Sequence, residues 1–248
     1  MSELIGIGIA GTGKFSHTHA KEIRRIKGAK QVCVYGHDPE RVRKFSLSYG
    51  IKGYVNLDDF LNDPGLSIVD IVTRHDWHAE IAIKAAFAKK DIIIEKPLAA
   101  TLQQAKQIIH SCQQSGSRVT VISQHRYDQA YLTAKKIIDS GALGKITFAN
   151  VLMRWHRPAD YFSGYREWIG KRNCSGGGVL TMQAIHFIDI VIWLLGRVSS
   201  VRGRVFNAKY NVEVEDTAIA WLDFQSGAQG LIMATISASR NIMDRVEI

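Results

Sequence analysis

The sequence predicts an α/β protein, with a doubly wound parallel sheet in its first half and an α+β domain with a large, mostly antiparallel sheet in its second half. Three observations support this fold class. Strand and helix patterns alternate as far as about residue 124, a glycine-rich turn joins the first strand to the first helix, and long strand patterns follow one another after residue 195. Alternation is typical of parallel sheets, whereas successive strands favour antiparallel pairing. We therefore expect two domains, residues 1–124 and 125–248.

The elements of the first half follow one another as strand, helix, strand. The predicted strands are residues 4–10, 30–36, 67–72, 91–95 and 118–122. The predicted helices are residues 14–26, 39–48, 76–89 and 101–115. This order predicts right-handed crossovers between parallel strands.

The first strand leads into Gly11-Thr12-Gly13-Lys14-Phe15-Ser16, a pattern typical of dinucleotide-binding turns in the Rossmann fold. In this interpretation Gly11 makes the tight turn, Gly13 lets a pyrophosphate approach the backbone, and Ser16 allows close packing of the helix. The phosphates would lie at the N–H groups of the helix start. A glycine turn alone is weak evidence, but here a strand precedes it, and a helix, a second strand and a second helix follow.

Lys96 is the second chemical signal. The apolar run Ile92–Ile94 predicts a strand buried on both faces, and the strand ends in Glu95, Lys96 and Pro97. Ligands of open α/β sheets bind at the carboxyl ends of the strands. Pro97 biases Lys96 toward extended geometry, so the lysine should stay at the rim of the sheet.

The second half begins with a predicted helix at residues 129–140 and a long strand at 145–155. Gly176-Gly177-Gly178 opens an apolar helix that ends at Leu195. Three further strands are predicted at residues 198–207, 214–224 and 228–238, and Gln225-Ser226-Gly227 has the composition of a hairpin turn.

Composition excludes several classes of protein. No stretch approaches the roughly 18 uncharged apolar residues of a membrane span, so we expect a soluble, cytoplasmic protein that does not bind membranes. Cys33, Cys112 and Cys174 lack the spacing of a disulfide framework or a zinc site, and we expect no metal. The net charge is +9, but the cations form no block and no nucleic-acid motif. The distribution favours a binder of anionic small molecules.

Several segments together resemble the Gfo/Idh/MocA oxidoreductase family, which includes glucose-fructose oxidoreductase and inositol 2-dehydrogenase. In chain order they are Gly11 to Lys14, Thr73 to His78, Glu95-Lys96-Pro97, Gln124 to Tyr127, and Gly176 to Leu180 followed by His186 and Asp189. The resemblance spans essentially the whole chain. It implies a nicotinamide-dependent dehydrogenase of sugars or polyols, assembled as a homodimer or homotetramer through the C-terminal sheet.

The resemblance also implies roles for individual residues. His186 would be the general base and Lys96 the cation that polarises the substrate oxygen, although the two roles can be exchanged. The implied cofactor-binding residues are Gly11, Thr12, Gly13, Lys14, Phe15, His37, Arg41, Thr73, Arg74, His78, Glu95, Lys96, Gln124 and Trp168. The implied substrate-binding residues are Arg126, Tyr127, Arg154, Tyr161, Arg166, Met182, Gln183 and His186.

Departures from the family pattern refine these expectations. Met182 stands where many members have an aspartate one turn before the histidine, so Asp189 or a substrate group would have to assist His186. Gly36 replaces the acidic residue that binds the ribose in NAD enzymes, and nearby His37 and Arg41 lean slightly toward NADP, with Asp38 keeping NAD open. Arg74, in place of a usual proline, either reaches the cofactor or caps a loop.

The stretch from Arg154 to Arg172 combines arginines with Trp155, Tyr161, Tyr165 and Trp168. It is either a solvated loop or the binding surface of an anionic sugar, such as a uronate, a phosphorylated sugar or a nucleotide sugar. Two alternatives to a dehydrogenase remain, namely a cofactor-using glycosidase and a noncatalytic dinucleotide-binding regulator. Asp244 to Ile248 predicts the start of another strand. Because the family's large sheet continues past this point, we also expect the C-terminal domain to be incomplete.

Overall fold

A six-stranded parallel sheet organises the first part of the chain. The computed structural model describes residues 4–248, which divide into two units with the boundary between Ile122 and Ser123 in the chain. The sheet has the order β3-β2-β1-β4-β5-β6. Its strands are β1 (Ile5–Ala10), β2 (Ala29–Tyr35), β3 (Lys52–Tyr54), β4 (Ile68–Ile71), β5 (Asp91–Ile94) and β6 (Val119–Val121). This is the strand order of the Rossmann fold, whose switch point lies between β1 and β4.

Two helices of the first unit have capping residues at both ends. The helices of this unit are α1 (Lys14–Ile23), α2 (Pro39–Tyr49), α3 (Leu57–Leu61), α4 (His75–Phe87) and α5 (Leu102–Ser115). The Thr101 hydroxyl accepts from the N–H of Gln104, and the Gln104 side chain accepts from the N–H of Thr101, which closes a capping box at α5. Gly50 and Gly116 end α2 and α5 in the left-handed conformation.

Two apolar clusters cover the sheet. One includes Ile9, Val34 and Phe45, and the other includes Ile71, Ile81 and Ile94. The predicted strands and helices of this unit are present, with ends displaced by up to three residues. The sequence-based interpretation missed β3 and α3, which are three and five residues long.

The second unit contains a five-stranded sheet of order β11-β7-β10-β9-β8. Its strands are β7 (Phe148–His156), β8 (Val198–Phe206), β9 (Thr217–Phe224), β10 (Gln229–Thr235) and β11 (Ser237–Glu247), and its helices are α6 (Gln129–Asp139), α7 (Arg172–Ser175) and α8 (Ile185–Leu195). Only β7 and β10 pair in parallel within this sheet. The fold class predicted from the sequence is therefore confirmed, although β11 begins seven residues before the strand start expected at Asp244.

One face of this sheet packs against the helical segment that lies between β7 and β8 in the chain. Alternate residues of β7, namely Ala149, Val151 and Met153, join Phe187 and Val191 of α8 in one buried cluster. The opposite face carries Leu152, Leu231 and Met233 beside the exposed Ile219 and Trp221. Because neighbouring residues of a strand point to opposite faces, the two sets do not mix.

The segment Arg172–Leu195 is 24 residues long, with a mean hydropathy of 1.8 in its most apolar window. By length and composition alone it could cross a membrane, contrary to the sequence-based expectation that no stretch comes near this limit. Its packing against β7 gives the same composition a second explanation, since 44% of that window is buried.

Candidate functional site

The glycine turn after β1 separates two structural roles. Gly11 has a φ of +130°, and a Cβ there would lie 2.3 Å from the carbonyl oxygen of Val72. A Cβ at Gly13 would meet nothing within 4 Å. Gly13 is the N-cap of α1 and offers no side chain to the N–H groups that begin the helix. Gly11 is thus required by the fold, whereas Gly13 leaves backbone donors open to a pyrophosphate, as a dinucleotide requires.

The residues beside this turn fit the same ligand. Ser16 is fully buried at the first turn of α1, which lets helix and strand approach closely. Lys14 and Phe15 are exposed at the helix start, and Thr12 is partly exposed between the two glycines. The predicted cofactor residues of this segment are therefore at the surface that a cofactor could reach.

The end of β2 carries the residues that bear on the cofactor's ribose. Asp38 caps α2, because its Oδ1 accepts from the N–H groups of Glu40 and Arg41 at 3.0 and 3.1 Å. His37 is exposed and its ring lies edge-on to Trp77, with the centroids 4.2 Å apart. The Arg41 side chain is exposed as well. One carboxylate oxygen of Asp38 is thus engaged in capping α2, and the exposed basic side chains of His37 and Arg41 lie close to it in the chain.

The segment after β4 corrects one prediction and bears on another. His78 is completely buried, with Nδ1 2.9 Å from the carbonyl oxygen of Pro97 and Nε2 3.3 Å from that of Thr73. His78 therefore links two loops. The prediction that it binds the cofactor directly is wrong, because both ring nitrogens face backbone carbonyls. Burial lowers the pKa of His78, although the hydrogen bonds to those two carbonyl oxygens act to raise it. Arg74 donates to both carboxylate oxygens of Asp76 and lies 5.0 Å from the Trp77 ring, which favours its role in the loop.

Lys96 lies two residues after β5, at the carboxyl end of the strand as predicted, and the Lys96–Pro97 peptide bond is cis. Its side chain is half-buried. Burial lowers the pKa of Lys96, and the charge of Glu95 opposes this shift only in part. A lowered pKa makes the neutral amine more accessible than in an exposed lysine, so either assigned role remains chemically open to Lys96.

A partly buried charge network that the sequence-based interpretation missed includes Glu95, the residue before Lys96. His19 of α1 bonds through Nδ1 to Oδ2 of Asp70 at 2.8 Å and through Nε2 to Oε1 of Glu95 at 3.2 Å. The other oxygen of Glu95 accepts from the N–H of Lys96 at 3.1 Å. Glu95, predicted to bind the cofactor, is thus engaged with α1 and with its own strand end.

The network holds His19 in its charged form. Burial is the largest single effect and opposes the charge, but the hydrogen bonds and charges of Asp70 and Glu95 together raise the pKa of His19 to about 10. Burial likewise opposes the charge on Glu95, yet contact with His19 and Lys96 lowers its pKa. At Asp70, burial outweighs His19 and raises the pKa. An aspartate inside the apolar run Ile68–Ile71 was the available signal, since a buried carboxylate needs a partner.

Replacing His19 with glutamine should destabilise the protein by about 3 kcal/mol at neutral pH, because buried Asp70 and half-buried Glu95 lose their cation. The pKa of His19 in the folded protein lies above the ordinary histidine value of 6.5. Its stabilising effect is therefore complete below that pH and is lost as the pH rises through about 10. Urea unfolding of both proteins between pH 6 and pH 10.5 should show the difference shrinking. His17→Gln, at an exposed position of the same helix, is the control, and a difference that stays constant with pH would contradict the assignment.

In the second unit, three of the predicted substrate residues, Tyr161, Met182 and Gln183, lie in or against a wide helical turn. Leu180–Ala184 forms a π-helical turn directly before α8, and such turns are frequent at functional sites. Gln183 is 5% exposed, its Nε2 donates to the Tyr161 hydroxyl at 2.9 Å, and its Oε1 has no partner among the described residues. A buried amide oxygen of this kind can accept from a substrate hydroxyl. Gly178, two residues before this turn, lets the chain pass close to the backbone of Glu215, since a Cβ there would lie 1.8 Å from the Glu215 carbonyl oxygen.

His186 lies in the first turn of α8, partly exposed, beside the ring of His125. The expectation that Asp189 assists His186 needs correction. The two oxygens of Asp189 accept from Nε and Nη2 of Arg126 at 2.8 and 2.5 Å. Arg126, predicted to bind substrate, is thus the partner of Asp189, and this ion pair satisfies the carboxylate.

The loop after β7 brings cations over aromatic rings. The guanidinium carbon of Arg166 lies 5.5 Å from the Tyr161 ring and that of Arg157 lies 5.4 Å from it. Arg157 also lies 4.9 Å from the Trp155 ring. Arg154 does not join this group, because strand alternation places it on the sheet face opposite α8.

The remaining predicted residues lie in short 3₁₀ turns. Gln124 and Tyr127 are exposed in Gln124–Tyr127, and Trp168 is partly exposed in Gly164–Gly170. Nothing in their geometry assigns them a ligand. Within residues 4–248, no group of three or more His, Cys, Asp or Glu side chains is placed to hold a metal ion.

Comparison with known proteins places both units in one family. The model of the oxidoreductase family with an NAD-binding Rossmann fold, Gfo/Idh/MocA, matches residues 5–123, and that of the Gfo/Idh/MocA C-terminal domain matches residues 131–248. Scyllo-inositol 2-dehydrogenase (NAD(+)) of Bacillus subtilis is 31% identical over 242 residues, covering 95% of this chain and 68% of the relative. Levoglucosan dehydrogenase of Pseudarthrobacter phenanthrenivorans is 31% identical, covering 80% of this chain and 56% of the relative.

Among solved structures, the WlbA dehydrogenase from Bordetella pertussis in complex with NADH and UDP-GlcNAcA superimposes with a TM-score of 0.94 at 28% identity. That match covers 98% of this chain and 76% of the other. The chain thus spans between about half and three quarters of the length of these relatives. With both family models matched in order, the chain belongs to the Gfo/Idh/MocA oxidoreductase family.

Proposed function

We propose that this protein is an NAD(P)-dependent dehydrogenase that transfers a hydride between its cofactor and a hydroxyl-bearing carbon of a sugar or sugar derivative. The observation that carries the proposal is Lys96, a half-buried ammonium group with a lowered pKa at the carboxyl end of β5, in a sheet whose glycine turn fits a dinucleotide. Two relatives at 31% identity are named as dehydrogenases of scyllo-inositol and levoglucosan, which supports the same reaction class.

In the oxidative direction, the substrate loses a hydroxyl proton and a hydride from the same carbinol group. His186 takes the proton on a ring nitrogen, and Lys96 stabilises the negative charge that develops on the oxygen. The nicotinamide supplies the hydride acceptor. Gln183 fixes the orientation of the sugar by accepting from a second hydroxyl. Lys96 and His186 can exchange roles, because burial lowers the pKa of Lys96.

The proposed substrate carries a negative charge. Arg157 and Arg166 lie over the ring of Tyr161, whose hydroxyl bonds to Gln183, so two cations lie close to the amide proposed to bind the sugar. A guanidinium group binds carboxylate or phosphate oxygens through paired hydrogen bonds. The structural relative WlbA was solved with UDP-GlcNAcA, which supports a nucleotide sugar or uronate.

Stopped-flow mixing of protein, cofactor and matched sugars tests both statements. We expect nicotinamide reduction, with kcat/KM at least about tenfold higher for an anionic sugar than for its neutral counterpart, equivalent to one good charged contact. Glucose against glucuronate is such a neutral and anionic pair, and UDP-GlcNAc against UDP-GlcNAcA compares two charged nucleotide sugars that differ by one carboxylate. Arg166→Gln should reduce the preference, whereas Arg25→Gln on the exposed surface should not. A preference for plain inositol or glucose would contradict the charged substrate.

The same experiment separates the alternative functions. A regulator would bind sugar and cofactor without a change in nicotinamide absorbance, and Met182 beside His186 is the residue that favours this alternative. A glycosidase of this family would cleave a glycoside with no net reduction of cofactor. Either result would replace the dehydrogenase proposal.

For the cofactor, we propose a slight preference for NADP over NAD. Asp38 is engaged in capping α2, while exposed His37 follows β2 and exposed Arg41 lies in the first turn of α2, near where a 2′-phosphate would lie. The B. subtilis relative is named for NAD(+), which supports the other choice. The ratio of kcat/KM for the two cofactors in the stopped-flow assay decides between them.

We also propose a homodimer or homotetramer formed through the C-terminal sheet. Leu152, Leu231 and Met233 share the face opposite α8 with exposed Ile219 and Trp221, and a contiguous apolar face of this kind favours a protein interface. The molar mass in solution tests this proposal.

A further inference from the structure

The second unit contains a histidine and a carboxylate beside His186 that the reaction described above does not use. His125 belongs to the 3₁₀ turn Gln124–Tyr127, and its ring stands edge-to-face with that of His186, with centroids 5.1 Å apart and an interplanar angle of 86°. Nδ1 of His125 lies 2.6 Å from Oδ2 of Asp128. Because a carboxylate only accepts, the proton of this bond is on Nδ1, and the ring orientation of His125 is fixed by Asp128.

Asp128 bonds to His125 in place of capping the helix that it begins. Asp128 is the N-cap of α6, a position where an aspartate usually accepts from the first N–H groups of the helix. Its side chain makes no such cap hydrogen bond and instead bonds to His125. A capping bond contributes about 1 kcal/mol, so the carboxylate forgoes a local stabilising contact in favour of the histidine.

Other groups around His125 complete its surroundings. Tyr131 of α6 lies with its ring centroid 6.4 Å from that of His125, and Phe187 of α8 lies 6.4 Å away in a stacked arrangement. Asp244 of β11 faces the same histidine, and its Oδ1 accepts from the Trp155 indole at 2.7 Å. Burial raises the pKa of Asp244, while Trp155 and His125 oppose the shift. Asp189 is paired with Arg126, whereas Asp128 hydrogen-bonds directly to His125.

We propose that Asp128 and His125 form a positioning pair for His186, which holds the imidazole ring and stabilises the positive charge that it gains on taking the substrate's proton. The inference rests on the proposed function of His186 as base. The proton passes from the substrate hydroxyl to a His186 ring nitrogen, and Asp128 supplies a negative charge through His125. Position 182, one turn before His186, holds an uncharged thioether and cannot supply that charge. His125 and Asp128 touch neither substrate nor cofactor in this scheme.

The pair predicts a specific change in the pH profile. Without the carboxylate, protonated His186 is less stable, so the rise of kcat/KM with pH should move to lower pH in Asp128→Asn by about half a unit to one unit. The weaker base should lower kcat by about tenfold, with KM changed by less than about twofold, since the charge arises in the transition state. His125→Asn should have the same effect, and Asp128→Glu should restore part of the activity.

Controls separate positioning from general damage. Asp139→Asn removes another carboxylate of α6, which pairs with Lys135 at the far end of the helix, and it should leave the profile unchanged. The double variant of His125 and Asp128 should be no slower than the slower single variant, because both act through one contact. Additive losses, an unshifted profile, or a loss that merely follows the melting temperature would overturn the proposal.

A second measurement keeps this inference separate from the function. The ring ¹⁵N signals of His186, assigned with His186→Gln, report its titration midpoint without any substrate. We expect that midpoint to fall in Asp128→Asn but not in Asp139→Asn. If no sugar is oxidised but the midpoint falls, the proposed function fails and the pair stands. If sugars are oxidised and the midpoint is unchanged, the pair fails and the function stands.

Discussion

Replacing Lys96 with methionine is expected to reduce hydride transfer by a factor of about a hundred to a thousand, the usual effect of removing one donor to a developing oxyanion. Methionine keeps the length and apolar body of the lysine but not its charge. Because the lost contact belongs to the transition state, cofactor affinity should stay within about tenfold of the original. Single-turnover absorbance gives the rate, and fluorescence titration gives the affinity.

The matched control is Lys84→Met on α4, which makes the same chemical change at an exposed lysine that pairs with Asp58. It should retain full activity. Lys96→Arg tests charge against geometry, since a guanidinium group keeps the charge but not the compact shape or the accessible neutral form of the amine. Undiminished turnover in Lys96→Met would remove Lys96 from the mechanism, whereas loss of cofactor binding alone would make it a binding residue.

The second large effect concerns the two glycines of the first turn. Gly13→Val should weaken cofactor binding by at least about a hundredfold, because the side chain would occupy the approach of the pyrophosphate to the helix start. A Cβ at Gly13 meets nothing within 4 Å, so the folded protein should keep its melting temperature within a few degrees. Gly13→Ala should give an intermediate affinity.

Gly11→Val provides the contrast. Its φ of +130° and the 2.3 Å approach of a Cβ to the Val72 carbonyl oxygen predict a loss of folding stability and not a selective loss of binding. Thermal unfolding without cofactor should therefore distinguish two substitutions that lie two residues apart. Unchanged cofactor titration in Gly13→Val would contradict the dinucleotide interpretation of this turn.

The sequence predicted the first unit well because each element there has a strong local signal. Thr101 and Gln104 define the start of α5, and Asp38 with Pro39 defines the start of α2. β3 and α3 were missed because three and five residues are too short to show a period. The early start of β11 was missed for a different reason, since Ser237 to Met243 has no consistent apolar alternation and pairs irregularly with β7.

Individual site residues were harder to predict than elements, because their partners lie far away in the sequence. Nothing near His78 indicates that both of its ring nitrogens meet carbonyl oxygens, one of them 19 residues away at Pro97. The contacts of His19 span 51 and 76 residues. Residue type suggested that Asp189 could assist His186. Only the fold shows that the Asp189 carboxylate already forms an ion pair with Arg126, which lies 63 residues away in the sequence.

The wide turn at Leu180–Ala184 constrains how this region can change in evolution or by design. A π-turn holds one residue more than a regular α-helical turn, and each residue of a helix advances the side-chain direction by about 100°. Removing that extra residue would preserve every amino-acid type nearby, yet Gln183 and His186 would then point in different relative directions. Chain length in this segment is therefore as restrictive as residue identity, and an activity copied onto a straight helix by substitution alone would keep the right groups in the wrong orientation.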